Sequence, residues 1–157
     1  MKKYSLEFAQ WHHLPDIELY MDQLLTYINR QVPQDLKTQD LSKSMVNNYI
    51  KQEIIPRPNG KRYGKAHIAQ LTILSILKEV FTIQECKDLF SIFNTEEGME
   101  GFGEDYNIFL ESIDGALAEI EDLYVKMPND EKKKQILYFS ILSYLAKHKA
   151  LQLLANP

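Results

Sequence analysis

The sequence predicts a mainly α fold: a helical N-terminal part interrupted by one small β-hairpin, then a C-terminal pair of helices. Three observations carry that prediction. Apolar residues recur at helical spacing along most of the 157 residues, the pattern of helices that bury one face. A single Asn-Gly pair, Asn59-Gly60, stands among prolines and arginines where a tight hairpin turn fits, since both central residues of such a turn favour positive φ. A Gly- and Glu-rich stretch separates the first helices from two long ones.

Length and composition bound the rest. With 45% hydrophobic residues the chain can bury one sizeable core, and one unit with two lobes is expected. Charge is more informative in its distribution than in its total. The stretch Lys43 to Lys65 holds Lys43, Lys51, Arg57, Lys61, Arg62 and Lys65 against Glu53 alone, a local +5 in a chain of net charge -4, so the remainder carries -9. One concentrated basic patch on an acidic protein points to a local polyanion site. A single cysteine excludes an internal disulfide and a multi-cysteine zinc site. Without a signal-peptide core or a long apolar run, a cytoplasmic protein with no membrane association is expected.

Taken in order, the arm Met1 to Leu14 carries Tyr4, Leu6, Phe8 and Trp11 and is expected to pack. His12-His13 reads as surface rather than as a metal pair, because no further ligands stand at suitable spacing. From Asp16, the series Ile17, Tyr20, Met21, Leu24, Leu25, Ile28 predicts an amphipathic helix with Pro15 and Asp16 at its start. About a dozen residues, VPQDLKTQDLSK, then lead to a helix over about 42–52. Ser42 caps it, and Met45, Val46, Tyr49 and Ile50 form its apolar side. Lys43, Ser44, Asn47, Asn48 and Lys51 point outward, with side chains of the kind that read base edges in a major groove, Asn on adenine and Lys on guanine.

Pro56 and Pro58 stop that helix, and the basic stretch 57–65 (Arg57, Lys61, Arg62, Tyr63 and Lys65) surrounds the Asn-Gly turn. A small basic hairpin after a recognition helix has the form of a wing lying along phosphates. A further helix is expected from Lys65 to near Val80, and Thr82-Ile83-Gln84-Glu85 reads as a capping box opening a short helix through Phe90.

This order of elements resembles the DNA-binding domain of MerR-type winged helix-turn-helix regulators. The matching residues are Val46-Asn47-Asn48-Tyr49, Glu53-Ile54-Ile55-Pro56, Arg62-Tyr63 and Val80-Phe81-Thr82-Ile83-Gln84-Glu85-Cys86, over roughly a third of the chain. More closely, the chain resembles a group of uncharacterised bacterial proteins built on a MerR-like core. Two residues depart from the MerR pattern: Glu53 stands where Gly is usual, and Asn47 where Arg is usual. The resemblance implies a winged helix-turn-helix core over 1–93 and a transcriptional regulator that binds double-stranded DNA. Some MerR relatives sense metals through thiolates, which requires more cysteines than Cys86.

The stretch 94–103, NTEEGMEGFG, is expected as a solvated linker. The lobe 104–157 follows: one helix from Glu104 to Lys126, a break at Met127-Pro128-Asn129-Asp130, and another helix from Asp130 to Leu154. Between Ile136 and Ala146 that last helix is apolar nearly all round. It is either a central helix buried by its own chain or one covered by a second subunit, which would make the protein a homodimer. No nucleophile elbow, phosphate loop, metalloprotease or dinucleotide signature is present, so no enzyme activity, cofactor or metal is expected. Cys86 reads as a small buried hydrophobe, and Tyr106, Phe109, Tyr124, Tyr138, Phe139 and Tyr144 as core in preference to an effector pocket. A protein-interaction module on the same scaffold, without DNA binding, is the alternative function. Clustered Lys and Arg favour DNA over it.

Overall fold

The computed structural model describes residues 6–93 and 98–156. Six α-helices succeed one another: α1 (Met21–Gln31), α2 (Lys43–Lys51), α3 (Lys65–Leu77), α4 (Ile83–Phe90), α5 (Gly98–Lys126) and α6 (Lys132–Ala155). The chain divides into two units, Met1–Leu110 and Glu111–Pro157.

The first unit is built around α3. All residues from Ile68 to Ser75 are buried, so this helix, against which α1 packs, is covered on every side. Each fully buried Leu or Ile here contributes roughly 1.5–3 kcal/mol of burial free energy. Leu24 and Ile28 from α1, Val46 and Tyr49 from α2, and Cys86 from α4 join the same core. The capping box expected at the start of α4 is formed: Thr82 Oγ1 accepts from the Glu85 N–H at 3.2 Å, and Glu85 Oε2 accepts from the Thr82 N–H at 2.8 Å.

Helix α1 starts at Met21 and not at Asp16. Leu19 exchanges both backbone hydrogen bonds with Tyr63, each 2.9 Å, which holds the chain extended there. A residue engaged in a ladder pair cannot also carry helical backbone angles. Gln23 then caps the helix by accepting from the Tyr20 N–H. The long connection to α2 is clipped shut by Asn29, whose amide both donates to the Leu41 carbonyl (2.9 Å) and accepts from the Leu41 N–H (2.8 Å).

The expected β-hairpin wing is absent: no strand forms among the described residues. Asn59 and Arg62 make one isolated bridge, and Arg62 N–H donates to the Asn59 carbonyl at 3.1 Å. The turn is also shifted by one residue from the expected register. Asn59 is its first residue and Gly60 alone carries the positive φ, 62°, at the first central position, as in a type II′ turn. Two prolines explain the missing strand. Pro56 and Pro58 have no N–H to donate, so the incoming arm cannot build a ladder, and the outgoing arm pairs with Leu19 instead.

The expected linker is corrected as well. Residues 94–97 lie outside the described set, but α5 begins at Gly98, and Gly101, Phe102 and Gly103 are buried. The described part of the N-terminal arm packs here, while Tyr4 lies outside the described residues. Trp11 meets Phe102 edge-on at 6.1 Å, and the Tyr106 hydroxyl donates to the Ala9 carbonyl at 3.0 Å. The division into units falls at Leu110, within α5, and not at the Gly/Glu-rich stretch.

In the second unit, among the described residues 111–156, no apolar side chain is buried; Gln135, whose Nε2 donates to the Pro128 carbonyl, is the one buried residue. Within this unit α6 is not a buried helix: Leu137, Ile141, Tyr144 and Leu145 are all more than half exposed. No helix among the described residues is long and apolar enough to cross a membrane.

Candidate nucleic-acid interface

Helix α2 presents its two faces cleanly. Ser42 Oγ accepts from the Met45 N–H at 3.2 Å, while Val46 and Tyr49 enter the core. Lys43, Ser44, Asn47, Asn48 and Lys51 are all exposed on the other side. The helix ends in a Schellman motif: Glu53 N–H donates to the Ile50 carbonyl (3.0 Å) and Ile54 N–H to the Tyr49 carbonyl (2.9 Å). Glu53 holds the left-handed position of that motif with φ 59°, where a Cβ costs energy and glycine would not.

Beyond the motif, Arg57, Lys61 and Arg62 are exposed around the turn, and the Arg62 guanidinium lies over the Tyr20 ring, 5.7 Å from its centroid. Among the described residues no carboxylate is within ion-pair distance of Lys43, Lys51, Arg57, Lys61 or Arg62. Among the described residues, these five cations are therefore without an ion-pair partner, in a stretch, 43–65, whose one acid is Glu53.

Of the expected surface residues, Tyr63 is buried and Lys65 is largely covered. Tyr63 is 5% exposed and packs edge-on against His67, its backbone spent on Leu19. Lys65 has a side chain only 14% exposed; its ammonium meets Asp16 at 3.1 Å and lies 5.3 Å from the Trp11 ring centroid.

His67 acts as a strut between the end of the Schellman turn and the start of α3. Nδ1 accepts from the Gly64 N–H at 3.2 Å, and Nε2 donates to the Pro56 carbonyl at 3.1 Å. That pattern requires the neutral ring, and burial pushes its pKa below the ordinary value against the opposing pull of the Pro56 and Arg57 backbone and the Glu18 charge. Cys86 is buried at the α4 face, and burial, with Glu85 adding to it, pushes its thiol up to about 11, so it stays protonated at neutral pH.

A cavity of about 650 Å³ opens at the C-terminal end of α2. Its lining includes Lys51, Glu53, Ile54, Arg57, Gln70 and Phe102. A smaller cavity of about 240 Å³ shares Glu53, Ile54, Gln70 and Phe102 as walls. The shared cleft brings Lys51 of the helix and Arg57 of the turn together. Sequence reasoning missed Gln70, Glu53 and Phe102 as site residues. One signal was available: Gln70 is a long polar side chain within the otherwise apolar run Ile68 to Leu74.

A family model described as a domain of unknown function (DUF1836) matches residues 9–109, a stretch that ends just short of the division between the two units. No curated protein and no solved structure matches the chain.

Proposed function

The chain belongs to the DUF1836 family, and for this member we propose sequence-specific binding to double-stranded DNA, with α2 entering the major groove and the basic turn contacting phosphates. One observation carries the reading. Five exposed cations without carboxylate partners and two exposed asparagines lie on one helix face and the turn that follows, in a chain that is otherwise acidic. Asparagine on a groove-facing helix pairs with the N6 and N7 edge of adenine, and lysine with guanine, while arginines on a turn hold register through the backbone. The order of elements, similar to that of MerR-type regulators, supports the same reading without a strand-built wing.

A regulator of this kind works in the cytoplasm and gains specificity by presenting two recognition helices to a symmetric site. The exposed apolar face of α6 supports a homodimer.

Fluorescence anisotropy against pooled genomic fragments over a salt series tests the proposal. If all five cations meet phosphates, the log-log slope reaches about -4.5, and less where Lys43 or Lys51 reads bases. Failure to retain any fragment at low salt, or affinity independent of salt, overturns the reading and leaves the surface to a protein partner.

A further inference from the structure

We infer that Tyr20 and Arg62 together grip one backbone phosphate of the duplex, so that the segment before α1 takes the part of the arm that the turn lacks. The inference rests on the DNA reading and extends it to a residue outside α2 and the turn. Leu19 and Tyr63 exchange both backbone hydrogen bonds, each 2.9 Å, and both side chains are buried, at 8% and 5% exposure. Successive side chains of an extended chain point to opposite faces, so the residues next to this pair face outward together. Tyr20 keeps extended backbone angles, φ -75° and ψ 161°, before α1 begins. It therefore stands opposite Arg62 at a non-hydrogen-bonded position, where side chains approach most closely. Their contact follows: the guanidinium lies over the ring, 5.7 Å from its centroid.

Three properties fit the pair to a phosphate. Tyr20 is 52% exposed, and its hydroxyl makes no hydrogen bond to the described residues, so the O–H is available to donate. Arg62 is exposed, and among the described residues no carboxylate pairs with it. Stacking on the ring restricts a side chain that would otherwise lose its rotamer freedom only on binding. Guanidinium and phenolic O–H are both ordinary phosphate donors, and a phosphate has oxygens enough to take the two at once. One neighbour opposes them. Glu18, exposed and two residues before Tyr20, brings a carboxylate to the same extended segment and repels a phosphate held there.

The test is fluorescence anisotropy of the full-length protein on a labelled genomic duplex that it retains and on a scrambled duplex of equal length, with a thermal melt of each variant to verify folding. Tyr20→Phe keeps the ring and removes only the hydroxyl. It should weaken both duplexes by roughly three- to tenfold, the loss of one hydrogen bond, and leave the log-log salt slope unchanged because no charge is lost. Tyr20→Leu removes the ring as well; it should weaken both further and lower the slope toward that of Arg62→Ala. Combined with Arg62→Ala it should cost less than it does alone, because the two side chains hold one phosphate. Glu18→Gln should tighten both duplexes by about two- to threefold, a gain that a merely structural Tyr20 would not bring. Unchanged affinity of Tyr20→Phe, strict additivity of Tyr20→Leu with Arg62→Ala, or a silent Glu18→Gln would each overturn the grip while salt-dependent binding by the native chain keeps the DNA reading. A native chain that binds no duplex would overturn both.

Discussion

Gly103 lies against the indole of Trp11 so closely that a Cβ built on it would stand 2.6 Å from Nε1. No side chain fits, and the ring is held in place by Phe102, by Tyr106 and by the ammonium of Lys65. Gly103→Ala should therefore destabilise the protein by about 1–2 kcal/mol, overpacking outweighing the gain in helix propensity. The control is Gly115→Ala in the same helix, where nothing stands within 4 Å of the new Cβ. There the propensity term acts alone and should stabilise by roughly 0.5–1 kcal/mol. Urea titrations of the two variants that shifted in the same direction would refute the packing assignment.

Glu53 lends itself to the opposite experiment. Relief of a left-handed L-residue should make Glu53→Gly more stable by about 1 kcal/mol, offset in part by the added freedom of the unfolded chain. Glu53→Ala keeps the strain and removes the carboxylate. Equal melting temperatures for the Gly and Ala variants would mean that the backbone at 53 carries no strain.

His67 predicts an acid-side loss of stability with a definite window. The folded pKa is depressed, burial being the largest cause, so the folded state prefers the neutral ring. As pH falls through about 6.5 the unfolded chain takes up the proton first. The stabilisation is thus complete above that value and declines below it, until the folded ring titrates in turn. Glu79 contributes in a lower window. Burial alone would raise its pKa, but hydrogen bonds from Lys78 and Thr38 outweigh it and hold the carboxyl below 4.5, so its stabilisation is present above that value and lost as pH falls further. Unfolding midpoints taken between about pH 7.5 and pH 5.5 should fall for the native chain and fall less for His67→Gln. Parallel lines for the two proteins would refute the strut.

Much of this fold is local and could be read without coordinates. Ser42 and Thr82 act through hydrogen bonds three residues away, and the two faces of α2 follow from spacing alone. What escaped depended on partners distant in the chain. Leu19 is extended because Tyr63 pairs with it, which removed a turn from α1 and an arm from the hairpin. Lys65 looked like surface charge until Trp11 and Asp16 closed over it. Gly103 looked like a linker residue because its role is to let the Trp11 ring approach, and that ring lies at the other end of the unit's sequence. The candidate site divides in the same way: the residues of α2 were legible from periodicity, whereas the cleft exists only once α2, α3 and α5 are assembled.

Asn47 and Arg62 separate base reading from phosphate holding. Asn47 lies on the exposed face of α2 and Arg62 on the turn, steadied by Tyr20. Arg62→Ala should weaken cognate and random DNA alike and lower the salt slope by about 0.9, whereas Asn47→Ala should narrow the gap between them, by about 1–3 kcal/mol if it pairs with adenine. Competition binding with matched duplexes measures both, and identical behaviour of the two variants would show the assignment of helix and turn to be wrong.

The face of α6 gives the last prediction. Leu137, Ile141, Tyr144 and Leu145 fall within one exposed arc, while Phe139, Leu142, Ala150 and Leu154 are half-buried on the other side of the helix. A run of large apolar residues of this extent seldom stays in water on a monomer. Without one buried apolar side chain of its own among the described residues, the second unit has little to hold it together except a second cover. The proposed homodimer, joined through this arc, would supply that cover. Ile141→Glu and Tyr144→Glu, at exposed positions, should then give helical monomers that bind half-sites weakly. Leu142→Glu should instead reduce helicity, because it breaks the packing within the unit. Analytical ultracentrifugation with circular dichroism distinguishes these outcomes, and a native chain that sediments as a monomer at micromolar concentration would refute the dimer.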